Sequence, residues 1–211
     1  MKKKYTVVLD LDQTIISGED LEEYKRQDWS SKEKKFRHAT MEDYYIIFER
    51  PHLQNFLSYL FQNFNVIVWT AASKDYALFI IENMILKNHP ERKLDWIFYT
   101  YHCDHSRELQ SGIKDLRLLY ENFDLPGLNR NNTIIIDDND EVHSIQPTRA
   151  IHIPPFEFTE KGSENDKILL TIIDFLKDLK RGEGINTTNI TEKLEEQYDE
   201  RRKASGKEDR D

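Results

Sequence analysis

Short apolar runs punctuate an otherwise polar chain. Residues 5–9 (YTVVL), 44–48 (YYIIF), 66–69 (VIVW), 96–101 (WIFYTY) and 133–136 (TIII) are β-branched and aromatic. Runs of this length and make-up predict buried strands, and residues 150–153 (AIHI) predict a shorter one. Between them the apolar spacing turns helical. Pro51 suits a first helical turn, and Phe56, Leu57, Leu60, Phe61 and Phe64 share one face. Ser73 predicts an N-cap for a second helix with Tyr76, Ile80, Ile81 and Ile85 on its stripe, closed by Asn88, His89 and Pro90. A short helix is expected after Lys114, through Leu116, Leu119 and Tyr120, and a strongly amphipathic one over 168–179.

Other stretches carry no such signal. Residues 17–41 are mostly polar and read as a solvated excursion with little core. Residues 102–112 read as a polar loop, and 124–131, with Pro126 and Gly127, as another. After residues 181–184 (RGEG) the core signal ends. Residues 190–203 predict a charged, solvated helix, and the last residues are expected to be disordered.

Strands alternating with helices indicate an α/β fold with a parallel central sheet. At 211 residues the chain suits one domain, placed at 1–180, with a charged tail over 181–211 that is partly helical or disordered. Hydrophobic residues at 38% and aromatics at 11% are enough for a packed core. The net charge of −9 argues against sequence-independent nucleic-acid binding. One cysteine excludes a disulfide framework. No apolar run is long enough for a bilayer, so no membrane association is expected. Asp10 and Asp12 arrive too early for a signal or transit peptide. An intracellular protein is expected, nuclear or cytoplasmic.

The chemistry sits at strand ends, where open parallel sheets place their ligand crevice. In chain order these residues are Asp10, Asp12 and Thr14, then Thr70, Lys114, and the pair Asp137 and Asp138. Asp10 and Asp12 are two apart on extended chain and so face one side, with Leu11 turned inward. So much charge beside buried strands calls for a compensating metal or ligand. Acids, a hydroxyl and a lysine of this kind suit phosphoryl transfer through an aspartyl-phosphate. One carboxylate attacks, a second serves as general acid and base, and Mg²⁺ matches an all-oxygen site.

Segments VVLDLDQTI (7–15), ERPHLQNFL (49–57), VIVWTAASKDYA (66–77), GIKDLRLL (112–119) and NTIIIDDNDEV (132–142) occur in this order. Together they resemble the haloacid dehalogenase superfamily, within it the RNA polymerase II C-terminal-domain phosphatase-like (NLI-interacting-factor-like) family. The end of the domain looks similar to the branch that carries a ubiquitin-like domain, which is expected to be absent here because the first strand starts at Tyr5. The resemblance implies a HAD-like Rossmannoid three-layer fold with a small β insertion and no large cap domain. It also implies a Mg²⁺-dependent protein serine/threonine phosphatase.

By that resemblance, Asp10 is nucleophile and metal ligand. Asp12 is the general acid/base and reaches the metal through its carbonyl. Thr14 orders the loop, and Thr70 binds the phosphoryl group. Lys114 neutralises nucleophile and phosphate. Asp138 ligates Mg²⁺ directly with Asp137 in support, and Tyr76 contacts substrate. A substrate-holding arginine found in some members has no counterpart in YTYHC (99–103), and 17–41 lacks the residues that read proline in the polymerase repeat.

Rival readings are weaker. In a receiver domain the acidic pair comes first, and here it comes last. A cysteine phosphatase would need an arginine where Leu109 follows Cys103. His102, Cys103 and His105 form an incomplete, irregular zinc set. Two alternatives remain open: a catalytically silent docking module of the same fold, or a phosphatase of small molecules or nucleic-acid ends. The expected partner is a phosphorylated protein or peptide. A further expectation concerns Lys25, Arg26, Lys32, Lys34, Lys35 and Arg37, which could draw an acidic phosphopeptide toward Asp10.

Overall fold

A computed structural model describes residues 3–27, 29–181 and 186–207. Strand β1 (Thr6–Leu9) is buried along its whole length and occupies the centre of the molecule. An insertion follows it, made of β2 (Ile16–Asp20), the short helices α1 (Leu21–Arg26) and α2 (Ser30–Glu33), β3 (His38–Met41) and β4 (Tyr45–Glu49). The chain then alternates: α3 (Leu53–Asn63), β5 (Asn65–Trp69), α4 (Lys74–Ile80), β6 (Trp96–Phe98), α5 (Thr100–Gln110), β7 (Thr133–Asp137), α6 (Asp140–Ile145), β8 (Ala150–His152), α7 (Ile168–Arg181) and α8 (Thr188–Lys207). Helix α4 runs on as a π-helical turn, Ile81–Ile85, and a second such turn, Leu118–Asn122, forms the short helix expected after Lys114.

The parallel sheet has the order β6-β5-β1-β7-β8. Val8 lies opposite Ile67 on one side and Ile135 on the other. Alternation along these strands supplies two cores. Val7, Leu9, Val66, Val68, Ile134 and Ile136 pack under α3, α4, α7 and α8. Val8, Ile67, Trp69 and Ile135 pack under α5, α6 and Leu116, Leu118 and Leu119. This is the three-layer α/β architecture with a small antiparallel insertion, ordered β2-β4-β3. Because β1 is central and followed at once by the insertion, its carboxyl end is flanked by the ends of β5 and β7 and faces the insertion.

Five expectations need correction. Residues 17–41 do build a core. Leu21 and Phe36 join Ile46, Phe48, Phe156 and Phe158, with Tyr24 and Trp29 packed against them. Phe48 and Phe158 stack at 4.0 Å. Their partners lie up to 137 residues away in sequence, so no local window shows a period. Residues 102–112 are chiefly helix α5, and the strand expected over 96–101 ends at Phe98. The only buried residues of α5 are Cys103 and Ser106, too small and too polar to register as an apolar stripe. Helix α8 is docked, since Ile190 and Leu194, one turn apart, are buried in the larger core. Finally, Lys32 and Lys35 ion-pair with Glu164 and Arg37 with Glu49, so part of the basic run is internally matched. The disorder expected at the last residues, 208–211, lies outside the described residues.

Candidate active site

The Asp10 N–H donates to Ile136 O at 3.1 Å, which carries the β1–β7 ladder one residue past the strand and fixes the Asp10 carboxylate at the sheet edge. The chain then folds on itself. The N–H groups of Ile15 and Ile16 both donate to Leu11 O, and Gln13 N–H donates to Ile16 O, with Gln13 in the left-handed region (φ 58°). Leu11 and Ile15 are buried in the core while Asp10 and Thr14 are held together. The Thr14 hydroxyl lies 2.9 Å from Asp10 Oδ2 and 3.3 Å from Asp138 Oδ1.

Lys114 reaches the same point from the other layer. Its Nζ donates to Asp10 Oδ1 at 2.6 Å and to Asp137 Oδ2 at 2.7 Å. Its backbone is left-handed (φ 51°). Gln146 holds it there, donating to Lys114 O at 2.9 Å and accepting from Leu116 N–H at 3.1 Å. The other Asp137 oxygen accepts from Asn139 N–H at 3.0 Å. Oxygens of Asp10, Asp137 and Asp138 all lie within 4.8 Å of one another. Oxygen-only donors, three carboxylates against one ammonium, are the donor set of a hard divalent cation. The residues therefore fit Mg²⁺.

Asp12 is set apart from that trio. The Tyr76 hydroxyl donates to Asp12 Oδ1 at 2.7 Å, and the Tyr76 ring meets Tyr45 edge-on. Thr70 follows β5 directly and is buried; its hydroxyl accepts from Ala72 N–H at 3.0 Å. The structure thus joins Asp10, Thr14, Lys114, Asp137 and Asp138 by direct contact, links Tyr76 to Asp12, and places Thr70 on the neighbouring strand end. Tyr76 was expected to face substrate, and in this structure its hydroxyl is engaged by Asp12.

The electrostatics follow from four carboxylates around one lysine. Burial, opposed by the Tyr76 bond and reinforced by the Asp10 charge, pushes the Asp12 carboxyl up to about 6. Burial and then the Asp10 charge also raise Asp137 and Asp138. Burial alone would discharge Lys114, but the Asp10 and Asp137 charges override it and hold the ammonium above its ordinary value. Cys103 behaves oppositely: burial raises its thiol to about 11, which makes it a poor nucleophile. Among the described residues, His102, Cys103 and His105 do not converge as metal ligands.

Two functional positions escaped the sequence reading. Arg50, which directly precedes Pro51, has a buried guanidinium that pairs with Asp166 through Nε at 3.3 Å and Nη2 at 3.0 Å. Its Nη1 donates to Thr14 O and to Pro154 O, each at 2.9 Å. Arg50 therefore braces the Asp10–Thr14 loop from behind. An arginine beside a proline at a helix start was visible, but its partner 116 residues away was not. Gly18 is the second: a Cβ there would stand 2.5 Å from the Tyr76 hydroxyl oxygen, so only glycine leaves room for the Tyr76–Asp12 bond.

The fold and the converging strand-end acids define a phosphatase of the haloacid dehalogenase type. Residues 5–186 match the family model described as NLI interacting factor-like phosphatase, and the chain belongs to that family. It is 44% identical over 184 residues to a CTD phosphatase-like protein of Invertebrate iridescent virus 3, covering 84% of this chain and 98% of that one. The corresponding protein of Invertebrate iridescent virus 6 is 41% identical over 174 residues, 81% of this chain and 96% of the other. Among solved structures, the fission yeast RNA polymerase II CTD phosphatase Fcp1 superposes with a TM-score of 0.53 at 19% identity. That match covers 84% of this chain and 52% of that one, and it speaks for the fold. No helix among the described residues is long and apolar enough to cross a membrane.

Proposed function

We propose that this chain is a Mg²⁺-dependent phosphatase of phosphoserine and phosphothreonine in protein, working through an aspartyl-phosphate on Asp10. The supporting observation is the surplus of buried carboxylate around Asp10, with one acid, Asp12, standing outside the metal-ligand trio near neutral pKa.

In this reading an Asp10 carboxylate oxygen attacks phosphorus in line, and the bond from phosphorus to the substrate oxygen breaks. Asp12, protonated below about pH 6, gives its proton to that leaving oxygen. Asp12 then takes a proton from water, whose oxygen attacks the same phosphorus. The acyl-phosphate bond breaks, releasing inorganic phosphate and the Asp10 carboxylate. Lys114 stabilises charge on both Asp10 and the phosphoryl oxygens, and the Thr70 hydroxyl donates a hydrogen bond to a phosphoryl oxygen. Bound Mg²⁺, held by Asp10, Asp138 and the Asp12 carbonyl, would offset the anionic repulsion between carboxylate and phosphate. Both Asp137 oxygens already carry hydrogen bonds, from Lys114 and Asn139, which supports its auxiliary role.

Access supports a peptide. Only 55 residues separate Thr14 from Thr70, and they form a three-stranded sheet, three helices and strand β5 of the parallel sheet instead of a cap domain. A cleft of about 320 Å³ opens beside Asp12, lined by Gln13, Ser17, Glu19 and Glu157 among others. The relatives' name, CTD phosphatase, makes phosphorylated polymerase repeats the first peptides to assay. Phosphate release from a small aryl ester, polymerase-repeat phosphopeptides, other phosphopeptides and a phosphosugar would be compared with and without Mg²⁺. Mg²⁺-dependent release with preference for phosphopeptides is expected. No release from any of them would favour a docking module. A beryllofluoride soak should place the adduct on Asp10.

A further inference from the structure

A second cavity, of about 390 Å³, lies against the opposite end of β7 from Asp137. Arg117, Arg130, Arg149, Tyr120 and Glu121 line it, with Thr133 at the strand's start. Arg117 is matched, holding both Asp115 oxygens. Arg130 and Arg149 have no carboxylate partner among the described residues, although the chain as a whole carries net charge −9. Arg149 Nε is buried with no hydrogen-bond partner. Leaving a guanidinium N–H dry and unpaired is costly, and a second guanidinium beside it adds repulsion. Glu121 is the one remaining acid in the lining, and it cannot balance two cations.

We propose that this cavity binds a phosphate dianion, esterified or free, distinct from the phosphate under hydrolysis. Two planar guanidinium forks and the Tyr120 hydroxyl present donors to three oxygens, and the dianion cancels the paired charge. The source is either a second phosphorylated residue of a peptide or free inorganic phosphate. β7 spans five residues at roughly 3.3 Å each, so the cavity and Asp137 are separated by about 13 Å. A peptide that reached both would need at least about four extended residues between its phosphates. This inference concerns binding and stands whether or not the site at Asp10 turns over.

The test follows the Arg149 Nε–H resonance of the full chain by NMR while inorganic phosphate, or a non-hydrolysable phosphonate peptide, is added at constant ionic strength with chloride as control. A saturable shift with phosphate or phosphonate, absent with chloride and lost in Arg130→Gln, is expected, and Arg149→Gln, which removes the reporter itself, should abolish the calorimetric heat of phosphate binding. Kinetics assign the source. If a doubly phosphorylated peptide shows KM at least fivefold lower than its singly phosphorylated form, and the two substitutions erase that gap without changing small-ester turnover, the source is the peptide. A shift with inorganic phosphate and no KM gap assigns free phosphate. No saturable shift with either probe, or an equal shift with chloride, would overturn the site. Gln146 also lines the cavity and stays untouched, because it holds Lys114. If the chain proved catalytically silent, the NMR readout would still decide this proposal.

Discussion

Two buried charge clusters meet at Thr14, and they are built on opposite plans. In front, Asp10, Asp12, Asp137 and Asp138 crowd a single ammonium, and burial raises three of the four acids. Behind, Arg50 closes on Asp166 and two carbonyls, while Arg201 of α8 reaches Glu160 and Asp166. The front cluster has more anion than the protein neutralises. The rear cluster has no such surplus, because Asp166 and Glu160 are met by Arg50, Arg201 and the largely exposed Arg202. A surplus of this kind is what a cation and a phosphoryl group would complete, whereas a balanced cluster acts as a strut. The difference separates chemistry from support without any appeal to motif.

Removing the nucleophile is the sharpest break of this contrast. Asp10→Asn keeps shape but takes away the attacking charge, so phosphate release should fall by at least about a thousandfold. The fold should survive, because the front cluster sheds repulsion: the metal-free variant should melt no lower than wild type by circular dichroism. Wild-type turnover would end the aspartyl-phosphate reading.

The rear cluster should respond in the opposite way. Arg50→Met strands Asp166 in the interior, and breaking a buried pair in this manner costs about 3–5 kcal/mol by denaturant unfolding. Arg50→Lys keeps the charge but not the fork, and should lose less. Replacing both partners, Arg50→Met with Asp166→Leu, should recover much of the loss. If the double variant is as unstable as the sum of the singles, the pair is not coupled and the strut description fails.

The parallel sheet and the front cluster were legible in sequence for the same reason. Buried parallel strands are continuous apolar runs, and chemistry follows each run directly, so YTVVL predicts both β1 and the position of Asp10. The insertion was illegible because its core is assembled from single aromatics. Trp29 and Phe36 make sense only beside Phe48, Phe156 and Phe158, which no periodicity joins. Helix α5 was hidden because it buries a cysteine and a serine. The docking of α8 was hidden because two apolar residues, Ile190 and Leu194, are enough when the sheet core already waits for them. The rear cluster was invisible because an ion pair has no local signature.

The surplus predicts a pH dependence whose sign separates it from ordinary carboxylates. Asp12, Asp137 and Asp138 bind their protons more tightly folded than unfolded. Their contribution to stability is therefore complete below about pH 4 and is lost as pH rises through about 6 to about 7. Metal-free protein should lose melting temperature across that window, and Mg²⁺ should restore it more at pH 7 than at pH 5. Asp138→Asn should flatten the slope and weaken the Mg²⁺-dependent gain. Glu164 runs the other way: its carboxyl is held down at about 2, with Lys35 and Lys32 outweighing burial, so its contribution fades only in stronger acid.

The smallest effect is the most informative about Asp12. The Tyr76 hydroxyl donates to the Asp12 carboxylate and so favours its charged form. Tyr76→Phe removes that bond, and the Asp12 carboxyl rises further. If Asp12 must be protonated to release the leaving group, the alkaline limb of kcat moves to higher pH while kcat at the optimum changes by less than about tenfold. Gly18→Ala should move the limb the same way, since its methyl would displace the Tyr76 hydroxyl. If Tyr76 instead served chiefly to hold substrate, Tyr76→Phe would raise KM and leave the limb in place, and Gly18→Ala would not reproduce the shift. The limb and KM are read from the same pH series, so one titration assigns Tyr76 to the acid or to the substrate.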